Sequence, residues 1–114
     1  MQDTTYTPDR WVILRLNTPE YGIIDKILCS WAGSYIYGSS WKLSSGIITF
    51  EERDGNDLWV SKQDSGSIYL LRKTSEEMSG IMSQVYQTLL EQVEEAKGSV
   101  EIIEAKDYKG VKNA

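Results

Sequence analysis

The chain has 114 residues, 40% hydrophobic and 25% charged, which suits a single soluble domain with one core and leaves no room for two. It contains no histidine, so His-based triads, His-ligated zinc and imidazole acid–base chemistry are excluded. Net charge is −5, and residues 74–104 carry seven glutamates against Lys97 alone, so no basic stripe is available to neutralise the phosphates of a nucleic acid duplex.

No uninterrupted apolar run exceeds four residues, whereas a membrane-spanning helix needs roughly 20. The opening MQDTTYTPDR lacks a basic start followed by an apolar segment, and the expectation is therefore a cytoplasmic protein. The single cysteine, Cys29, has no internal disulfide partner, which agrees with a reducing compartment.

In chain order, residues 1–8 are polar and proline-containing and predict a flexible arm. Residues 9–73 predict an antiparallel meander of five or six short strands. Trp11 and Ile13 alternate with Val12, Leu14 and Leu16, the period of a strand. Asn17-Thr18-Pro19-Glu20 supplies a turn. The next strand ends at Trp31, with Ile27, Cys29 and Trp31 on one face and Ile24 and Leu28 on the other. That register assigns Cys29 and Trp31 to the core. A short strand over Tyr35–Leu43, then Ile47–Glu52, Leu58–Ser61 and Ile68–Arg72 complete the meander, separated by Gly-, Ser- and Asp-rich turns.

At Thr74 the apolar period becomes helical. Thr74-Ser75-Glu76-Glu77 matches a capping box, and Met78, Ile81, Met82, Val85, Leu89, Val93 and Ala96 form one stripe. A helix over 75–97 follows, with Gly98 as the left-handed residue that ends it. Residues 99–105 predict a last edge strand and 106–114 a flexible tail. The fold class is thus α+β: a curved, half-barrel-like antiparallel sheet packed by one C-terminal helix.

Chemistry-bearing patterns are few. Between Ser30 and Gly46, 13 of 17 residues are Trp31, Tyr35, Tyr37 and Trp41 together with six serines and three glycines. Large rings on easily bent backbone suit an interaction surface or an aromatic-lined pocket. Tyr35, Tyr37 and Trp41 are therefore candidate binding residues. Trp59 is the fourth, because it points away from the face shared by Leu58 and Val60. The acidic loop Asp54-Gly55-Asn56-Asp57 does not follow a calcium-loop pattern and suits a solvated hairpin. No phosphate-loop spacing occurs. No catalytic residue, metal ligand or cofactor is predicted.

The segments Pro8–Leu14, Trp31–Tyr35, Ser40–Ile47 and Ser65–Tyr69 resemble a group of small proteins encoded by tailed bacteriophages and marine viral metagenomes. Members of that group often read Gly-Gly-Tyr and Gly-Asp-Ser-Trp where this chain has Gly33-Ser34-Tyr35 and Gly38-Ser39-Ser40-Trp41. The resemblance implies a phage accessory protein acting in the cytoplasm of the infected cell and carries no assigned activity. The expected function is non-enzymatic binding of a host or viral protein, with homodimerisation through an edge strand as a further option. The alternative is a small-ligand or nucleotide-sequestering protein.

Overall fold

The computed structural model describes residues 4–34, 38–53 and 57–108. Among these residues eight strands, β1 (Thr5–Tyr6), β2 (Arg10–Thr18), β3 (Gly22–Ser34), β4 (Gly38–Leu43), β5 (Ile47–Arg53), β6 (Leu58–Gln63), β7 (Ile68–Arg72) and β8 (Ser99–Ile103), accompany one α-helix, α1 (Gly80–Glu95). The class is α+β with mostly antiparallel pairing, in two open sheets. Sheet A has the order β1-β7-β6-β5 and sheet B the order β4-β3-β2-β8.

This differs from the single curved sheet of five or six strands that the sequence predicts, and the reason lies in the two central strands of sheet B. Along β2 and β3 both faces are apolar. Trp11, Ile13, Ile27 and Cys29 pack with Tyr69 and Leu71 of sheet A, whereas Val12, Leu14 and Leu28 pack with Met82 of α1 and Val100 of β8. A sheet buried on both faces needs two covers. The helix supplies one, and the second half of the meander folds over to supply the other. The order of layers is sheet A, sheet B, helix.

The ends of the chain also differ from expectation. Thr5 and Tyr6, assigned by sequence to a flexible arm, pair in parallel with Ile68 and Tyr69. Tyr6 stacks on Tyr69 with ring centroids 5.0 Å apart, and Lys42 lies over its ring. Near the other end, Ala105–Asp107 form a short 3-10 turn that brings Tyr108 against Phe50, ring centroids 5.1 Å apart.

The helix begins at Gly80 rather than 75. Ser79 is its N-cap, with the hydroxyl accepting from the Met82 amide. Thr74 lies in a 3-10 turn over Lys73–Ser75. The glutamates of the apparent capping box are engaged elsewhere: Glu76 accepts from the Ala105 amide at 2.7 Å, and Glu77 pairs with Arg10 at 2.5 Å. At the far end Lys97, not Gly98, has the positive φ, 60°. Gly98 is required for a different reason, since a Cβ there would lie 2.3 Å from the Asn17 carbonyl oxygen.

Candidate functional site

The four aromatic candidates do not converge. Tyr35 and Tyr37 lie outside the described residues. Trp41 sits on β4, the outer strand of sheet B, opposite Ser30. It shares a face with Leu43, which packs into the layer beneath α1, and it is 47% exposed. Trp59 belongs to the other sheet. It is partly buried on the inner face of sheet A, stacked on Phe50 at 5.0 Å between centroids, with the Lys73 ammonium 4.9 Å from its ring centre. Lys73 in turn forms an ion pair with Glu52. Trp59 is committed to inter-sheet packing, and Trp41 alone of the described candidates presents a ring to its surroundings. Trp31 is half-buried; it packs against the inter-sheet core and donates its indole N–H to the Thr7 carbonyl at 3.1 Å.

A cleft of about 520 Å³ opens where the start of β2, the end of β3 and the first turn of α1 meet. Asp9, Arg10, Trp31, Arg72, Ser75 and Ser79 are among its lining residues. Several are already engaged. Arg10 is ion-paired with Glu77, the Asp9 carboxylate accepts from the Ala32 amide at 2.7 Å, and the hydroxyls of Ser30 and Ser79 share a hydrogen bond of 2.8 Å. The Arg72 carbonyl accepts from the Trp11 indole N–H at 2.8 Å, which holds the end of β7 against β2. The cleft therefore combines one indole, two guanidinium groups and three hydroxyls with the Asp9 carboxylate and a helix start that has no acidic residue in its first turn. Such a lining can bind an anionic group and provides no nucleophile with a neighbouring base. Sequence reading missed Arg10, Arg72 and Ser79 as a group because they come from three distant elements. No local signal marked Ser79, which falls inside the helix that the sequence predicts over 75–97.

A second polar cluster lies inside the molecule. Asp25 is buried, and Arg15 grips both its oxygens at 2.8 and 3.0 Å. The Tyr108 hydroxyl donates to the same carboxylate at 2.9 Å. Burial, followed by that hydrogen bond to a carboxylate, pushes the Tyr108 phenol well above its ordinary range. The Arg15 guanidinium is held charged above its ordinary value by the hydrogen bond to Asp25. With Tyr108 closing one side and the sheets the other, this group is suited to holding strands together rather than to meeting a substrate.

Cys29 is buried, as its register predicts, and burial pushes its thiol up to about 12. Thiolate chemistry at neutral pH is thereby suppressed. Asp54 and Asn56 of the acidic loop lie outside the described residues. Among the described residues, no group of three or more Cys, Asp or Glu side chains is arranged to hold a metal ion, and no helix is long and apolar enough to cross a membrane. Comparison with protein-family models, with curated proteins and with solved structures finds no match to this chain.

Proposed function

We propose that the protein is a non-enzymatic binding protein that docks a host or viral protein on the β4 edge of sheet B, in the phage-infected cytoplasm that its sequence resemblance implies. The observation that carries this reading is Trp41, a 47% exposed indole on a terminal strand. Tryptophan is among the residues most enriched in binding hot spots, and a terminal strand leaves backbone groups open for pairing beside it. The Ser- and Gly-rich flank of Trp41 adds little bulk to obstruct a partner. The test is affinity capture from infected-cell lysate with the natural chain and with Trp41→Ala, each first shown to be folded by circular dichroism. Selective loss of a captured protein from the variant is the expected result; an identical set of captured proteins would remove Trp41 as the anchor.

A second reading rests on the cleft. Its indole, guanidinium groups and hydroxyls suit a small anionic ligand with an aromatic part, such as a nucleotide. A thermal-shift screen against nucleotides and sugar phosphates reads this directly. The expected hit stabilises the natural chain and not Arg72→Ala, and a screen without a hit dismisses this reading while leaving the first intact.

A further inference from the structure

We infer that the outer edge of β8 is a docking edge for an extended, basic peptide segment, which joins sheet B as a fifth strand. β8 pairs with β2 on one side, and among the described residues no strand pairs with the other. Along an antiparallel strand, alternate residues direct their N–H and C=O groups to opposite sides, so a terminal strand offers a row of unpaired groups. Natural edges are commonly blunted by lysine, proline or a bulge. β5, for example, has a register shift between Ile47 and Thr49. β8, Ser-Val-Glu-Ile-Ile, has none of these devices and keeps a regular register from Ser99 to Ile103.

The side chains of β8 define the occupant. Val100 and Ile102 lie opposite Leu16 and Leu14 and share the helix-side face, whereas Glu101 and Ile103 lie opposite Arg15 and Ile13 and share the face toward sheet A. Ile102 is 45% exposed although its partner Leu14 is fully buried. An added strand therefore meets an uncovered apolar side chain on one face and a carboxylate on the other. Complementing both takes apolar and basic residues in strict alternation, the period of a β-strand.

The surrounding charge agrees. Residues 91–106 contain five glutamates (Glu91, Glu94, Glu95, Glu101, Glu104) and two lysines (Lys97, Lys106), a net charge of −3. All five glutamates are exposed, and Lys106 is already paired with Glu104 at 3.3 Å. A second copy of the chain is a poor occupant, because antiparallel β8–β8 pairing gathers the Glu101 and Glu104 carboxylates of both copies along one seam. A cationic strand relieves the same charge. This edge lies at the opposite side of sheet B from Trp41, so the inference goes beyond the proposed function and does not depend on it.

The experiment uses the full chain and two capped peptides of identical composition, one alternating lysine and valine and the other with lysines and valines in separate blocks. Titration of labelled peptide is combined with amide hydrogen exchange followed by NMR. The expected result is tighter binding of the alternating peptide, slowed exchange at the alternate amides of Ser99–Ile103 that face away from β2, and on the order of tenfold weaker binding to Glu101→Lys. Trp41→Ala is expected to bind the peptide unchanged. Equal binding of the two peptides, protection outside β8, or no binding would overturn the inference. The exchange measurement needs no variant, so the test stays decisive even where Glu101→Lys fails to fold. Neither outcome bears on capture through Trp41.

Discussion

Lys97 and Gly98 divide between them two jobs that a single glycine usually performs. Lys97 adopts φ 60° with a side chain that resists it, and Gly98 lies where its neighbours leave no space for a Cβ. Lys97→Gly is therefore expected to raise stability by about 1 kcal/mol. Gly98→Ala is expected to lower it by about 1–3 kcal/mol or more, as overpacking does. Urea unfolding of the two variants measures both signs. A glycine after an amphipathic stretch was legible in the sequence; its reason, contact with the β2–β3 turn, was not, because Asn17 and Thr18 are far away in the chain.

Two tyrosines make a complementary pair of predictions. The Tyr108 hydroxyl bonds a buried carboxylate, so Tyr108→Phe is expected to cost about 1.5–3 kcal/mol. The Tyr69 hydroxyl is buried without a hydrogen-bond partner among the described residues, so Tyr69→Phe is expected to be neutral or slightly stabilising. Denaturant midpoints of the two variants should move in different directions or by clearly different amounts.

Glu76 links residue chemistry to pH. Burial raises its carboxyl above the ordinary 4.5, the Ala105 amide opposing the shift. Its folded form holds the proton more tightly than its unfolded form, so this group favours folding below the unfolded value. That contribution fades as pH climbs through the folded value. Glu76→Gln is expected to match or exceed the natural chain in stability at pH 7, with the difference shrinking toward pH 4. Melting curves across that range decide it.

Among elements, α1 shows why a local signature can name the wrong residue. Thr74-Ser75-Glu76-Glu77 has the chemistry of a capping box, yet Arg10 and the Ala105 amide compete for its two glutamates. Helix formation then begins at the next residue with a suitable side chain, Ser79. Ser79→Ala is expected to cost about 1 kcal/mol. Thr74→Ala, an exposed substitution, is expected to stay within about 0.5 kcal/mol. Equal losses in thermal melts would return the cap to Thr74. The strands, by contrast, were largely legible, since β2 and β3 are short apolar runs bounded by turn residues such as Asn17-Thr18-Pro19-Glu20. What alternation could not convey was the exit from sheet B at Ser44-Ser45-Gly46, because a hairpin and a change of sheet use the same residues there.

For the whole molecule, the order of layers makes sheet B dependent on both ends of the chain. β8 pairs with β2 across more than 80 residues of sequence, Asn17 against Ser99, and Val100 completes the layer beneath α1. A chain ending before Ser99 leaves β2 without one neighbour and Val12, Leu14 and Met82 with thinner cover. Such a truncation is expected to lose the cooperative unfolding transition and the dispersed amide spectrum of the full chain. A sharp transition retained by the shortened chain would show that β8 is an accessory strand. Of the candidate residues, sequence reading named Trp41, whose indole is 47% exposed, from its ring and its Ser- and Gly-rich surroundings. It could not locate the cleft, whose lining exists only once β2, β7 and α1 have been brought together.

Arg15 also guards the alignment of sheet B. Hydrophobic pattern ordinarily protects a strand against slipping by one residue, because the slip turns apolar side chains toward water. β2 lacks that protection: Trp11 and Ile13 on one face and Val12 and Leu14 on the other are all buried, so a slipped strand remains apolar on both sides. Arg15 is the one charged residue of β2 beyond its first position. It lies between Asp25 of β3 and Glu101 of β8, where a shift of one residue breaks its paired hydrogen bonds to Asp25 and turns a cation into the helix layer. The partly buried ion pair thus acts as an alignment pin, worth more for the arrangements it forbids than for the energy it adds.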